Sequence, residues 1–253
     1  MQRGQSERQH EKTFDNDFSA PTDLFAVAAA ADERAGFIMK TYMYVFGAIA
    51  AFIAIQTALF TIVGLETLME LTAATLGGTG KMSWLIVLGA FMVVSWIANS
   101  WARSDTNPMM QHVGLGVYIV ALSAIFVPLL CMAQYAGGPN TILSAAMATA
   151  GLFALLTLTV FVTRKDFSFL RAFLMFGGFA ALGLIATSIV FSFALGPIFM
   201  YAMIALFCCF ILYDTSNILH HYRIGQHVAA ALGLFASVMM LFWYVLQFFI
   251  SRD

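Results

Sequence analysis

Apolar stretches of about 20 residues or more follow one another from Phe37 onward, and each is long enough to cross a hydrocarbon core of about 30 Å as a helix. Short polar or turn-forming segments separate them, including GGPN (137–140) and GP (196–197). We predict an all-α membrane protein, because these stretches are apolar on every face and do not alternate as barrel strands do. The seven predicted spans cover about 37–63, 83–102, 112–135, 141–163, 169–192, 196–219 and 228–250.

Composition agrees with this class, because 61% of the residues are hydrophobic and only 10% are charged. Soluble domains carry about 25% charged residues. The net charge of −1 gives no indication of nucleic-acid binding. We also expect no enzymatic activity, since the sequence has no phosphate-binding glycine loop and no HExxH or GxSxG motif.

The first 35 residues differ from the rest, since they hold seven acidic and four basic side chains among other polar residues. We predict that residues 1–35 form a polar, disordered cytoplasmic tail. Residues 36–253 then form the seven-helix transmembrane domain. Within the tail, LFAVAAAADERAG (24–36) is a candidate for a short helix at the membrane surface.

The distribution of Lys and Arg predicts the orientation in the membrane. Two basic residues, Lys81 and Arg252, fall on one side. Ten fall on the other side, in the tail and beside the loops after spans two, four and six: Arg3, Arg8, Lys12, Arg34, Lys40, Arg103, Arg164, Lys165, Arg171 and Arg223. The positive-inside rule places the N-terminus in the cytoplasm and the C-terminus outside.

One carboxylate, Asp214, lies inside an apolar segment, about five residues or roughly 8 Å from the end of span six. An ionised carboxylate there is costly unless it is paired, hydrogen-bonded, hydrated or protonated. Asp214, Asn217 and His221 follow an i, i+3, i+7 spacing, so a continuous helix would place them on one face. This cluster is either a structural polar lock or part of an ion or proton pathway. A metal site of Asp214, His220 and His221 is a weaker alternative, because adjacent residues point about 100° apart on a helix.

A second polar stripe on span two supplies a partner for this carboxylate. Ser95, Asn99 and Arg103 follow an i, i+4, i+8 spacing and end in a cation at the level of Asp214. We predict that Arg103 is the counter-charge of Asp214. Lys40, at the start of span one, is the alternative partner.

Several segments resemble one membrane-protein family. ILYDTSNILHH (211–221), followed by a short basic loop and AAALGLFASVMMLFWYVLQFF (229–249), resembles the C-terminal part of the Bax inhibitor-1 family. The resemblance extends from about Arg34 to Asp253. VTRKDFSFL (162–170), DTSNILH (214–220), SRD (251–253) and KTY (40–42) are similar to the bacterial YccA branch of that family. The resemblance implies a bundle with a central seventh helix, in a bacterial inner membrane.

For several family members the resemblance implies a pH-sensitive calcium leak, controlled by two carboxylates on spans six and seven that share a proton. Asp214 matches the first position, but Ser237 in LFAS occupies the second, where the leak-type pattern has LYLD. A serine cannot share a proton as a second carboxylate does. The candidate ion-path or polar-lock residues are therefore Asp214, Ser237, Arg103, Asn217 and His221.

The YccA branch implies a different function, namely regulation of the FtsH membrane protease by a slowly degraded binding partner. The predicted tail is suited to engagement by an ATP-driven unfoldase. We expect this regulatory role. The alternative is a calcium leak channel with a single-aspartate site, in which calcium is the permeant species and no cofactor is needed.

Overall fold

The computed structural model describes residues 25–26, 29–77, 82–104, 108–138 and 140–252. Within these ranges the chain forms eight helices and no extended strand. They are α1 (Ala31–Ile62), α2 (Leu65–Gly77), α3 (Met82–Ala102), α4 (Pro108–Ala136), α5 (Thr141–Thr163), α6 (Leu170–Phe191), α7 (Gly196–His220) and α8 (His227–Arg252). All except α2 are long and apolar enough to cross a membrane. The predicted all-α class with seven spans is therefore confirmed.

The last helix forms the centre of the bundle. In the most apolar 18-residue segment of α8, 72% of the residues are buried, whereas the corresponding share is 22% or less in five of the other six spans. It packs against α1, α3, α4, α5 and α7. The predicted central position of span seven is thus confirmed. By contrast, α6 packs mainly on α7 and α3, and its buried side chains are Leu174 and Ala181.

The helix that contains the first predicted span begins before that span. The sequence placed the end of the tail at residue 35, whereas α1 begins at Ala31. Its first turn carries Asp32 and Glu33, and acidic side chains there are stabilised by the partial positive charge of a helix N-terminus. Residues 1–24, the greater part of the predicted tail, lie outside the described residues.

A short helix that the sequence did not predict follows α1. Gly64 has a φ of +85°, which ends the continuous helix and redirects the chain into α2. Leu68 of α2 is buried beside Val127 and Cys131 of α4. The 13 residues of α2 are too few for a span, so this helix packs on the side of the bundle.

Close contact between α3 and α4 depends on one glycine. A Cβ atom on Gly114 would lie 2.6 Å from the Ala98 carbonyl oxygen and 2.8 Å from the Ala102 nitrogen. Small residues let helix backbones approach closely in membranes. This approach holds the end of α3, where Arg103 follows, beside the start of α4.

We call the side of the bundle at which α1, α4, α6 and α8 begin and α3, α5 and α7 end the basic face. Seven of the described Lys and Arg residues lie there: Arg34, Lys40, Arg103, Arg164, Lys165, Arg171 and Arg223. The basic face is the side that the positive-inside rule predicts to be cytoplasmic.

Candidate functional site

Asp214 lies near the basic face and is bound to the central helix. The Ser237 hydroxyl of α8 donates a hydrogen bond of 2.5 Å to Asp214 Oδ2. Ser237 is buried, whereas Asp214 remains partly exposed. The structure therefore brings together the two positions that the family resemblance paired, as one carboxylate and one hydroxyl.

Two further residues, which the sequence analysis missed, surround the Asp214 carboxylate. A Cβ atom on Gly233 would lie 4.0 Å from Asp214 Oδ1 and 3.7 Å from the Tyr222 hydroxyl. Gly233 precedes Ser237 by four residues, so both face Asp214 from the same side of α8. The i, i+4 spacing between Gly233 and Ser237 is the sequence signal that could have identified Gly233 as part of the site.

Tyr222 occupies the loop between α7 and α8, outside the spans. Burial, followed by the nearby charge of Asp214, raises the pKa of Tyr222 to about 12, although the charge of Arg103 opposes this shift. The phenol is therefore protonated at neutral pH. The phenol can therefore donate a hydrogen bond. It lies beside the Asp214 carboxylate, which already accepts a hydrogen bond from Ser237.

Arg103 acts on this site from a distance. Its charge influences both Asp214 and Tyr222, but no ion pair within 4 Å joins it to Asp214 among the described residues. It lies just past the end of α3, and its side chain is exposed.

The other residues of the second stripe do not reach Asp214. The Asn99 side chain donates a hydrogen bond of 3.0 Å to the Ser95 carbonyl of its own helix. The alternative partner, Lys40, is exposed and lies within electrostatic reach of His227.

His221 does not share the face of Asp214 as predicted from its spacing. The helix α7 ends at His220, and His221 is its C-cap with φ −119°. Its Nε2 lies 3.1 Å from Asp166 Oδ2 and 3.2 Å from Asp166 Oδ1. The spacing argument fails here because it assumed a helix that continues through residue 221.

Asn217 caps the end of α7 through its backbone. Its carbonyl oxygen accepts hydrogen bonds from the N–H groups of His221 and Tyr222.

Asp166 belongs to the loop between α5 and α6, residues 164–169, which begins with a left-handed residue, Arg164 (φ 50°). Burial opposes ionisation of Asp166. Hydrogen bonds from the Ser168 N–H and His221, with the attraction of a charged His221, outweigh that effect and lower the pKa of Asp166. The same loop is bound to α7 through the Phe167 N–H, which donates to Ser216 Oγ at 2.9 Å.

The chain that precedes α1 is also bound to the basic face. The Ala26 N–H donates a hydrogen bond of 2.9 Å to the Tyr222 carbonyl. The Arg223 guanidinium lies 6.0 Å from the centre of the Phe25 ring. The residues before α1 and the 164–169 loop therefore contact the two ends of the same short segment, residues 216–223.

The alternative metal site of Asp214, His220 and His221 is not formed. His220 Nδ1 lies 3.0 Å from the Ser216 carbonyl oxygen, and His221 faces Asp166. Across the described ranges, no three His, Cys, Asp or Glu side chains lie close enough together to hold a metal ion.

Comparisons with known proteins agree with this architecture. The family model described as "Inhibitor of apoptosis-promoting Bax1" matches residues 34–253. The Arabidopsis thaliana protein LIFEGUARD 4 is 28% identical over 226 residues, which are 87% of this chain and 86% of that protein. An uncharacterized protein of Pseudomonas aeruginosa is 37% identical over 46% of this chain and 54% of its own length. Bax inhibitor 1 of Schizosaccharomyces pombe is 35% identical over 42% of this chain and 41% of its own length. The chain, a seven-span helical membrane protein with one carboxylate bound to its central helix, belongs to the Bax inhibitor-1/YccA-like family.

Proposed function

We propose that this protein provides a slow leak pathway for divalent cations such as calcium, with Asp214 as the acid at its basic-face end. The observation that carries the proposal is that the Asp214 carboxylate has few partners. Its carboxylate accepts one hydrogen bond, from Ser237, and has no ion pair within 4 Å among the described residues. Carboxylates inside membrane spans commonly mark ion routes.

The surroundings of Asp214 support the same role. Asp214 is partly exposed, and Gly233 itself adds no side chain to the space beside Oδ1, which the Tyr222 hydroxyl borders. Carboxylate oxygens and hydroxyl oxygens are the hard ligands that calcium prefers. Arg103 lies close enough to act on the carboxylate without covering it, and its charge would keep the occupancy of the site by cations low.

The test is calcium entry into proteoliposomes that contain the purified protein and an enclosed calcium indicator. We expect entry well above that of empty vesicles. Asp214→Asn should slow it by about tenfold or more, because the variant lacks the negative charge that concentrates cations at the site. Glu70→Gln, which removes an exposed acid from α2, is the matched control and should leave entry unchanged.

Entry equal to that of empty vesicles at pH 6, 7 and 8 would contradict the leak. Equal entry through the wild type and Asp214→Asn would contradict the role of the carboxylate. In either case Asp214 would remain a polar lock between α7 and α8.

A second function, regulation of an FtsH-type membrane protease, is favoured by a separate observation. Two of the segments that resemble the YccA branch, VTRKDFSFL and DTSNILH, contact each other through Phe167 and Ser216, with His221 directly beyond. Together they form one polar surface on the basic face. This surface suits a cytoplasmic partner of a protein in a bacterial inner membrane.

The test is co-purification with, and degradation by, a reconstituted membrane-anchored AAA protease. Deletion of residues 2–24 should slow degradation, because these residues make up most of the polar tail that the sequence predicts, and such a tail suits engagement by an ATP-driven unfoldase. The double variant Asp166→Asn/His221→Gln should weaken co-purification while calcium entry persists. Unchanged degradation and unchanged co-purification would rule out this second function and leave the leak proposal untouched.

A further inference from the structure

A cavity of about 500 Å³ lies between the ends of four spans, on the side of the bundle opposite the basic face. Its walls come from the start of α3, the end of α4, the start of α7 and the end of α8. Cavities that bind small molecules commonly measure about 300–1,000 Å³ and often lie between the helices of a bundle. Asp214 and the surface around His221 lie near the other face, so this cavity is a separate feature.

The lining of the cavity is almost entirely apolar. Trp84 of α3 and Trp243 of α8 lie side by side, with ring centroids 6.4 Å apart and 24° between the ring planes. The polar side chains of the lining are Gln247 and Ser251, and the Ser251 hydroxyl already donates to the Phe248 carbonyl at 2.8 Å. The remaining walls are formed by Pro128, Leu129, Met132, Met200 and Ile250.

This lining indicates what fills the cavity. Protein interiors contain few voids larger than a water molecule, because the atoms around a void lose their packing contacts. A buried water needs two to four polar partners. Seven of the nine lining side chains are apolar or aromatic, so water would meet mostly carbon. A hydrocarbon chain matches these walls better than either water or an empty space.

The cavity begins at the level where lipid headgroups meet hydrocarbon. Trp84 lies in the first turn of α3, and tryptophan is enriched at membrane interfaces. Arg252, which follows the lining residue Ser251, ends the last span, and arginine there extends into the headgroup region. Trp243 lies nine residues before Arg252, so the cavity extends roughly 14 Å below that level.

The cavity is also accessible from the bilayer. In the described part of the chain, α3 and α7 do not pack closely against each other, although both line the cavity. Met132, at its edge, is 59% exposed on the outer surface of α4. A lipid beside the bundle can therefore insert a chain between α3 and α7 while its headgroup stays at the interface.

We propose that this cavity binds one acyl chain of a phospholipid from the leaflet opposite the basic face. The chain packs against Trp84 and Trp243, and the amide of Gln247 donates a hydrogen bond towards the ester end of the lipid. The bound chain completes the packing between α3 and the central helix. This site is independent of the leak and of any protease partner.

The test is quenching of tryptophan fluorescence by phosphatidylcholine with brominated acyl chains, because bromine quenches an indole that it contacts. The protein is washed in detergent until native mass spectrometry detects no retained lipid, and is then reconstituted in brominated or unbrominated vesicles. The variant Trp84→Phe/Trp96→Phe/Trp101→Phe keeps Trp243 as the one tryptophan of the chain. We expect its loss of fluorescence to equal that of the variant that keeps only Trp96, which is 74% exposed.

The matched control is Phe242→Trp in a chain whose four native tryptophans are all replaced by phenylalanine. Phe242 lies at the same depth on α8 but is buried against Phe126, with parallel rings and centroids 5.9 Å apart. Its indole should keep its fluorescence in brominated vesicles. If the larger ring prevents folding, Tyr244→Trp, at another buried position of α8, takes its place.

Three results would overturn the proposal. Quenching of Trp243 by aqueous iodide and not by brominated chains would show that water fills the cavity. Quenching by neither agent would show that the cavity is closed to both. Equal quenching of Trp243 and of the Phe242→Trp control would show that brominated chains reach the whole helix and not this cavity.

Discussion

The Asp214 carboxylate and the Ser237 hydroxyl join α7 to the central helix through a hydrogen bond of 2.5 Å between residues 23 apart in sequence. Leak-type relatives are expected to have two acids at these positions, whereas this chain has one acid and one donor. The difference changes what the site can do, because a donor stabilises the charged carboxylate without competing for its proton. Four of the predictions below concern this contact or the loop beside it.

Ser237→Ala should destabilise the bundle by about 1–3 kcal/mol, because it leaves the Asp214 carboxylate without its hydrogen-bond donor. Thermal unfolding in detergent measures the loss. Ser251→Ala is the control, since that exposed hydroxyl donates only to the Phe248 carbonyl of its own helix. A fall in Tm no larger than that of Ser251→Ala would contradict the importance of the contact.

Ser237→Asp should create a pH-dependent calcium site. Two carboxylates in contact share a proton, and that proton competes with calcium for the same oxygens. Calcium should therefore bind several-fold more tightly at pH 8 than at pH 6, as measured by titration calorimetry on the purified variant. Ser237→Asn, which has nearly the same size and no charge, should show no such difference. A pH-independent affinity in Ser237→Asp would argue against a direct contact at this position.

Asp166→Asn should loosen the 164–169 loop with little effect on global stability. Asp166 and His221 are exposed, with 44% and 47% of their side chains accessible, so the pair contributes about 0.5 kcal/mol or less. Faster amide exchange at Phe167 and Ser168 would report the change. Asp32→Asn, an exposed acid in the first turn of α1, serves as the control.

The same loop should respond to acid in the wild type. The pKa of Asp166 is lower in the folded protein, so its contribution is present above the unfolded value of about 3.9 and is lost as the pH falls through the folded value. The difference in exchange between the wild type and Asp166→Asn should thus be full at pH 6 and should vanish once the pH falls below the lowered pKa of Asp166. A difference that persists at the lowest pH would mean that the carboxylate charge is not what holds the loop.

Gly114→Ala should destabilise the contact between α3 and α4 by about 1–3 kcal/mol, since the new methyl group would meet backbone atoms that cannot move aside singly. Gly116→Ala, two residues on, is the control, because its Cβ atom would have no neighbour within 4 Å. Thermal unfolding compares the two variants. Equal Tm values would show that the helices can separate without cost.

The sequence predicted the spans and the central helix well, because length and hydrophobicity alone decide which segments can cross a membrane. It did not predict α2, since 13 residues with Glu66 and Glu70 give a weaker signal than a span. Asp214 and Ser237 were identified from burial cost and family pattern. Gly233 and Tyr222 were missed because they matter through their closeness to Asp214 in space. The spacing of residues within one segment gives only part of that information.

His221 illustrates a different limit of sequence reasoning. Its partner, Asp166, lies in VTRKDFSFL (162–170), which served for the orientation of the chain and for the family resemblance but suggested no pairing. A pairing between residues 55 apart depends on where α7 ends and how the 164–169 loop turns. Neither is fixed by the periodicity of the apolar residues.

The central position of α8 has a consequence for biosynthesis. A ribosome makes the chain from the N-terminus, so the other six spans enter the membrane before the central helix has been made. Until α8 arrives, the inward faces of α1, α4, α5 and α7 have only lipid or one another to pack against. Assembly of this bundle is therefore completed only after α8 has been made, and a nascent chain arrested before His227 would present helices that lack their central partner to quality control in the membrane.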